Sequence, residues 1–281
     1  MATYNQLIHQ YRDEFIKKDL SPEVVKAFIF ELCNEYGINL YLDLDEEADE
    51  RVVKRFHEGI RRLLEDEPLY YVLGYTYFYG YRIIVNDKVL IPRPETEELA
   101  ALILSEYDEF YAGKDVDLCD VGTGSGAIAI ALAKEESHLN VYASDISHEA
   151  LEVAEKNASL NGCEITFLEG SMLEPYIEKG LKFDILVSNP PYIKQHEQIE
   201  RSVYDYEPHV ALFGGEDGLR FYREIFENAY RIMKDDGMMF FEIGYDQKEN
   251  LTALAQSHFP QAHVEVFKDI NRKDRMLMIK L

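Results

Sequence analysis

Residues 116–135 read VDLCDVGTGSGAIAIALAKE. The apolar run 116–121 predicts a buried strand, and the apolar run that follows Gly126 predicts a helix. Three glycines with the spacing G-x-G-x-G lie between them. A glycine-rich turn at the carboxyl end of a strand lets a ligand approach the backbone closely. The turn alone is a weak signal, because a tight turn that only packs a helix on a sheet also uses glycine.

Segments with strand character alternate with helical segments from about Lys88 onward. Helical patterns separate the first five strand candidates, which predicts an α/β fold with a doubly wound, mostly parallel, Rossmann-like sheet. A polar, non-helical segment joins the last two candidates, so we expect these two to be antiparallel neighbours. The seven candidates are Val116–Val121, Asn140–Ser144, Ile165–Glu169, Phe183–Ser188, Met238–Ile243, His263–Phe267 and Met276–Lys280.

Helical patterns precede the sheet region and predict a small bundle. Apolar residues recur at helical spacing from Leu7 to Phe15. A second helix is expected to begin at Ser21-Pro22-Glu23, with Ser21 as its cap and Pro22 in the first helical position, and to end near Gly37. A third is expected from about Glu46 to Leu64. Three such helices make a small bundle.

The aromatic and β-branched stretch from Gly74 to Val85 predicts a β-hairpin. It lies between the helical region and the sheet region. We therefore predict a helical bundle at residues 1–73, a hairpin linker at 74–87 and a sheet domain at 88–281.

A carboxylate follows the second predicted strand. Asp145 lies nineteen positions after Gly126, where its oxygens are well placed to accept hydrogen bonds from both hydroxyls of a ribose. Dinucleotide-binding turns have the spacing G-x-G-x-x-G, which differs from the spacing here. The turn and Asp145 together predict an adenosyl cofactor, either a nicotinamide dinucleotide or S-adenosylmethionine.

The fourth predicted strand ends directly in Asn189-Pro190-Pro191-Tyr192. The two prolines fix the backbone and remove amide donors, so carbonyl groups stay available as acceptors. An amide-type nitrogen carries two N–H donors, and the Asn189 side-chain oxygen and the Pro190 carbonyl can accept one each. Such a grip aims the nitrogen at an electrophilic methyl group, with the Tyr192 ring packed on the planar amide or base. The alternative is an ordinary rigid turn, but the position beside the glycine turn favours methyl transfer.

The motifs resemble those of the glutamine-N5 methyltransferases that modify peptide chain release factors. Residues 89–97, VLIPRPETE, resemble the block I-P-R-P-[DE]-T-E of that family, and the likeness extends over nearly the whole chain. The Asn-Pro-Pro-Tyr segment is shared with adenine methyltransferases, whereas its combination with this block is far more specific. Further matching segments are Glu67-Pro68, Gly74, residues 120–126, Asp145, residues 188–193, Glu207-Pro208, residues 211–219 and residues 272–275.

The resemblance implies a function and a set of site residues. It implies that S-adenosylmethionine is the cofactor, that the substrate is the glutamine of a Gly-Gly-Gln motif in a release factor, and that the helical domain recognises the substrate protein. Asn189, Pro190, Pro191 and Tyr192 would hold the glutamine amide, with Asn189, Pro190 and Tyr192 as the catalytic residues. The implied cofactor-binding residues are Gly122, Thr123, Gly124, Ser125, Gly126, Asp145, Ser171, Met172 and Asn189.

Residues 171–172 depart from the family pattern, and the block at 89–97 has two alternative roles. Ser171 and Met172 stand where many relatives carry an acidic residue followed by an aromatic one, so Ser171 would contact the adenine amino group and Met172 would cover the ring. In the block at 89–97, Pro92 and Pro94 either begin a helix and pack the domains together, or form one wall of the glutamine site with Arg93 ordering an acidic neighbour.

The amino-acid composition indicates which classes of partner and which cellular compartment to expect. The net charge of −24 opposes nucleic-acid binding, which draws its affinity from basic residues. We expect reduced thiols in the cytoplasm because the three cysteines are far apart. No signal-peptide or membrane-spanning segment is evident, and the scattered histidines predict no metal site. A monomer is expected.

Other functions compete with release-factor methylation. Glutamine methylation of a ribosomal protein uses the same chemistry, and the motifs do not distinguish it. Adenine-N6 methylation of nucleic acid shares the Asn-Pro-Pro-Tyr segment but requires a basic face and a base-flipping region. A binding protein without turnover and a nicotinamide oxidoreductase fit the residues less well. The preferred release factor is not evident from the sequence.

Overall fold

The computed structural model of the chain describes residues 2–281, which divide into two compact units. One unit contains the described residues up to Tyr75 together with Ile199–Tyr206. The other contains Thr76–Gln198 and Glu207–Leu281. The sequence-based boundaries at 73 and 87 differ from these units, because the segment Ile199–Tyr206 belongs to the helical unit and nearly all of the hairpin belongs to the sheet unit.

The first unit is helical and has its own apolar core. Phe15, Phe28 and Phe56 are almost completely buried, and the rings of Phe28 and Phe56 stack with centroids 5.9 Å apart. The later helix in this unit, Arg201–Tyr206, is held by the Tyr206 hydroxyl, which donates to the Glu65 carbonyl at 2.8 Å. The helices before Tyr75 are α1 Tyr4–Gln10, α2 Arg12–Lys17, α3 Glu23–Glu35, α4 Leu40–Asp43, α5 Glu50–Leu63 and α6 Leu69–Leu73.

The start of α3 corrects one prediction. Ser21 does not cap this helix, because Pro22 holds the N-cap position and no side chain accepts from the first helical amides. The third predicted helix also starts later than expected. Asp49 caps α5 by accepting from the Arg51 amide at 2.8 Å, so the segment before Asp49 stays outside the helix.

The predicted hairpin is confirmed. It consists of β1 Tyr75–Phe78 and β2 Tyr81–Ile84, joined by Tyr79 and Gly80, which both have positive φ angles of 52° and 81°. Positive φ angles at both central residues give a two-residue turn whose backbone twist matches the twist of the two flanking strands.

The second unit is built on a seven-stranded sheet with the order β5-β4-β3-β6-β7-β9-β8. The strands from β5 to β7 in this order are mutually parallel, and β9 is antiparallel to both β7 and β8. The predicted mostly parallel sheet and the antiparallel final pair are confirmed. The strands are β3 Val116–Val121, β4 Leu139–Asp145, β5 Thr166–Glu169, β6 Phe183–Ser188, β7 Met233–Glu242, β8 His263–Lys268 and β9 Asp274–Lys280.

Helix α7 (Pro94–Phe110) precedes this sheet along the chain, and further helices separate its strands up to β8. No described helix is long and apolar enough to cross a membrane. The helices of the region are α7 Pro94–Phe110, α8 Ala127–Glu135, α9 His148–Asn161, α10 Glu174–Glu178, α11 Arg201–Tyr206, which belongs to the helical unit, α12 Arg220–Asn228 and α13 Lys248–His258, with short 3-10 helices at His209–Ala211 and Ala229–Arg231.

Close packing at Gly59 gives a test of the helical core. A Cβ atom at this position of α5 would collide with the Phe28 ring and lie 2.9 Å from Val72 Cγ1. We expect Gly59→Val to lower the free energy of unfolding by about 3 kcal/mol, since overpacking a buried site forces its neighbours to move. Denaturant titration measures the loss. Glu58→Val, on the exposed side of the same helix, is the control and should change stability by about 0.5 kcal/mol or less; equal losses in both variants would contradict the packing argument.

Candidate active site

The glycine turn joins β3 to α8 and has an unusual backbone. Gly122, Gly124 and Gly126 all have positive φ angles, of 74°, 55° and 80°. The amide groups of Gly122 and Thr123 both donate to the Ser144 carbonyl at 2.9 Å, which ties the turn to the end of β4. These φ values favour glycine, and the turn therefore presents bare backbone above the sheet edge.

Asp145 lies at the end of β4, directly beside this turn. Its two carboxylate oxygens accept from the Gly124 amide at 2.8 Å and from the Ser147 amide at 2.9 Å. Burial raises the pKa of Asp145, although the two amide donors favour its charged form. A carboxylate has about four lone-pair directions, so it can accept further hydrogen bonds from a ligand.

A cavity of about 250 Å³ opens at this edge of the sheet. Its wall brings together most of the residues predicted from the sequence. Gly126, Pro190 and Tyr192 are not part of the wall. The predicted residues that line it are Gly122, Thr123, Gly124, Ser125, Asp145, Ser171, Met172, Asn189 and Pro191.

Gly126 has a packing role behind the cavity. It holds the N-cap position of α8, and an added Cβ would lie 3.2 Å from the Ala154 Cβ. Buried Asn157 supports the same region from α9. Its Nδ2 donates to the carbonyls of Ser125 and Ile84, both at 2.9 Å, and so links the glycine turn to the hairpin. Sequence reasoning missed Asn157, since an asparagine in a helix gives no sign of burial.

Asp120 is a buried carboxylate at the start of the turn. Its Oδ2 accepts from the Thr123 hydroxyl at 2.6 Å, whereas Oδ1 has no partner among residues 2–281. Burial, together with the nearby charge of Asp145, raises the pKa of Asp120 to about 7, against the opposing effect of Thr123.

The Asn-Pro-Pro-Tyr segment leaves the end of β6 and is held at both ends. The Asn189 Nδ2 donates to the Thr96 hydroxyl at 3.4 Å. The Tyr192 hydroxyl donates to Glu242 Oε1 at 3.2 Å, and the Tyr192 carbonyl accepts from Gln247 Nε2 at 3.2 Å. Burial and the charge of Glu242 raise the pKa of Tyr192, so its hydroxyl stays protonated and remains a donor.

Glu242 is an acidic residue that sequence reasoning missed. It ends β7 and is 2% exposed, and its Oε2 accepts from the Thr96 hydroxyl at 2.5 Å. Burial raises the pKa of Glu242, and the charge of Arg275 opposes that effect. The signal in the sequence was a single acid closing the apolar run MMFFE at 238–242.

Arg93 pairs with an acidic residue, as one of the two interpretations of residues 89–97 predicted. Its guanidinium donates to Glu207 Oε1 at 2.6 Å, and Glu207 Oε2 accepts from the Ile91 amide at 3.3 Å. Glu207 is 4% exposed, whereas the Arg93 side chain is 34% exposed, so the acidic partner is buried and the basic one is half-buried. The block also begins α7 at Pro94, as the other reading expected.

Known proteins are similar to this chain in sequence. The family described as Methyltransferase small domain matches residues 98–205. A release factor glutamine methyltransferase of Bacillus cereus is 43% identical over 255 residues, which cover 89% of this chain and 90% of the relative. Another, of Streptococcus pneumoniae, is 39% identical over 277 residues, which cover 98% of this chain and 97% of the relative. This chain belongs to the release factor glutamine methyltransferase family.

A solved structure supports the fold of this member of the release factor glutamine methyltransferase family. A methyltransferase from Pyrococcus furiosus matches with a TM-score of 0.51 and 20% identity, covering 72% of this chain and 89% of that one. At that identity the likeness shows the fold alone. The predicted methyltransferase fold and the resemblance to the family are thus confirmed.

The glycines behind the Asn-Pro-Pro-Tyr segment allow a test of its support. A Cβ at Gly218, where φ is 76°, would collide with the Tyr192 carbonyl oxygen and lie 2.7 Å from Gln247 Nε2. We expect Gly218→Ala to destabilise the fold by about 3 kcal/mol, the sum of backbone strain and overpacking. The change in free energy of unfolding is the measurement.

Gly180→Ala provides the matched control for Gly218→Ala. Gly180 also has a positive φ, of 64°, but an added Cβ there would meet nothing within 4 Å. Its loss should be about 1 kcal/mol, the cost of the backbone strain alone. Equal losses at the two positions would show that the contact with Tyr192 is loose.

Proposed function

We propose that this protein transfers a methyl group from S-adenosylmethionine to the side-chain amide N5 of the glutamine in the Gly-Gly-Gln motif of a peptide chain release factor. The observation that carries the proposal is the position of Asn189. Its carboxamide lines the same cavity as the glycine turn and Asp145, so an amide acceptor and a cofactor cradle face one space. The family of the chain supports the same reaction.

The residues of the cavity fit the cofactor. An added Cβ at Gly122 or Gly124 would meet nothing within 4 Å, so the turn leaves open space beside its backbone. Asp145 lines the cavity and can accept from the ribose hydroxyls, while Ser171 and Met172 would contact the adenine. When bound, S-adenosylmethionine supplies an electrophilic methyl group on a sulfonium centre.

The substrate amide needs two acceptors, and we assign them to Asn189, which lines the cavity, and to the carbonyl of Pro190, which follows it but is not part of the wall. No described residue donates to Asn189 Oδ1 or to the Pro190 carbonyl oxygen. These two oxygens would each take one N–H of the glutamine amide and hold the nitrogen in line with the methyl group. Orientation of this kind accounts for much of the rate in reactions of weak nucleophiles. Pro191 keeps the backbone rigid, and the Tyr192 ring would pack against the planar amide.

The wider setting of the reaction is also part of the proposal. The acidic protein would act in the cytoplasm as a monomer, without metal and without direct nucleic-acid contact. Its three cysteines carry free thiols, which supports a reducing compartment. The helical unit would recognise the body of the release factor.

The substrate class can be tested with labelled S-adenosylmethionine. The protein is incubated with release factors, ribosomal proteins or DNA, and each fraction is counted. We expect label on a release factor, and we expect none when its Gly-Gly-Gln glutamine is replaced. Label on ribosomal protein or on DNA alone would overturn the proposal, and so would methylation that persists without the glutamine.

Two substitutions should separate substrate grip from cofactor binding. Asn189→Ala should reduce kcat by about 100-fold or more while cofactor affinity changes little, because the lost acceptor acts on the amide. Asp145→Ala should instead weaken cofactor affinity by about tenfold or more, since it removes a charged acceptor. Calorimetry with S-adenosylhomocysteine and steady-state kinetics measure the two effects. Unchanged turnover in the Asn189 variant would refute its assigned role.

A further inference from the structure

A series of hydrogen bonds runs from buried Glu242 to Thr96 and Asn189, which both line the cavity. Glu242 Oε2 accepts from the Thr96 hydroxyl at 2.5 Å, and the Thr96 oxygen accepts from Asn189 Nδ2 at 3.4 Å. Glu242 is 2% exposed and Thr96 is 4% exposed, so water competes little for the contact between them, whereas Asn189 is half-buried in the cavity wall. The series crosses from β7 through the first turn of α7 to the end of β6.

The ionised form of Glu242 fixes the direction of both hydrogen bonds in this series. An ionised carboxylate only accepts, and the hydroxyl of Thr96 has one proton to give. That proton goes to Glu242, so the Thr96 oxygen is left with acceptor capacity alone. Asn189 must therefore turn its NH₂ group towards Thr96, and its Oδ1 is left on the opposite side of the carboxamide.

Burial raises the pKa of Glu242, and the groups around it oppose that effect by favouring the ionised form, which only accepts. The Tyr192 hydroxyl donates to Oε1, and the Arg275 guanidinium provides the opposite charge. Arg275 is itself held in place, because its Nε donates to Asp269 Oδ2 at 3.3 Å and its Nη1 donates to the Ile243 carbonyl at 3.2 Å. A neutral glutamine at 242 would be able both to donate and to accept, so it would no longer dictate the direction.

We propose that Glu242 and Thr96 are positioning residues that hold the Asn189 carboxamide with its oxygen, and not its NH₂ group, facing the substrate. This inference rests on the proposed function, because it concerns the grip on a glutamine amide. An oxygen there accepts an N–H from a glutamine, whereas an NH₂ group would point a donor at a donor. The same arrangement disfavours a glutamate side chain, which has no N–H to give when ionised.

The test compares two substitutions of Thr96 after wild-type activity on a release factor is established. Thr96→Val keeps the shape of the side chain and removes the hydroxyl, and Thr96→Ser keeps the hydroxyl and removes a methyl group. We expect Thr96→Val to lower kcat by about 100-fold while S-adenosylhomocysteine affinity stays near wild type; the melting temperature should fall, because the buried Glu242 carboxylate loses a donor. Thr96→Ser should retain most of the activity. Glu242→Gln should also lower kcat, through loss of the fixed direction.

A double-mutant cycle shows whether Thr96 acts through Asn189. In the Asn189→Ala background, Thr96→Val should cause little further loss, because the group that it orients is already absent. Wild-type kcat in Thr96→Val, equal losses in the Val and Ser variants, or fully additive losses in the cycle would overturn the inference. A wild-type protein that methylates no release factor would overturn the proposed function itself, and that result is distinct from the others.

Discussion

Neighbouring parallel strands end at one edge of a sheet, and every part of the candidate site depends on that constraint. The order β4-β3-β6-β7 places four carboxyl ends side by side. Asp145 ends β4, the glycine turn follows β3, Asn189 follows β6 and Glu242 ends β7. Groups far apart in sequence thus share one cavity region without long connecting loops.

Two glutamates beneath this edge, Glu242 and Glu207, are buried, and each has donors that offset the cost of burial. Glu242 has Thr96 and Tyr192, and Glu207 has Arg93 with the Ile91 amide. A buried charge without partners would be strongly unfavourable. The satisfied carboxylates therefore fix the surrounding side chains, which keeps the Asn-Pro-Pro-Tyr segment rigid beside the cavity.

Local sequence patterns predicted the sheet well and the helical unit less well. The five parallel strands and the antiparallel final pair follow from apolar runs and glycine turns. Strand β7 begins at Met233, ahead of the expected Met238, because Met233 already pairs with β6 before an irregularity in the register of the two strands. The prediction that Ser21 caps α3 was wrong, since local composition does not show which backbone amides a side chain reaches. The place of Ile199–Tyr206 in the helical unit depends on contacts distant in sequence, such as that of Tyr206 with Glu65. Glu242 belongs to no motif in the sequence. Its contacts with Thr96 and Tyr192 arise only because β7 lies beside β6 in the folded sheet.

The central claim is that a planar glutamine amide is held by two oxygen acceptors, Asn189 Oδ1 and the Pro190 carbonyl. A crystal structure with S-adenosylhomocysteine and a Gly-Gly-Gln peptide tests it most directly. We expect the glutamine nitrogen to lie about 3 Å from both oxygens. We also expect Asn189 Nδ2 to donate to the Thr96 hydroxyl. A glutamine amide bound elsewhere, or facing Nδ2 of Asn189, would contradict the account.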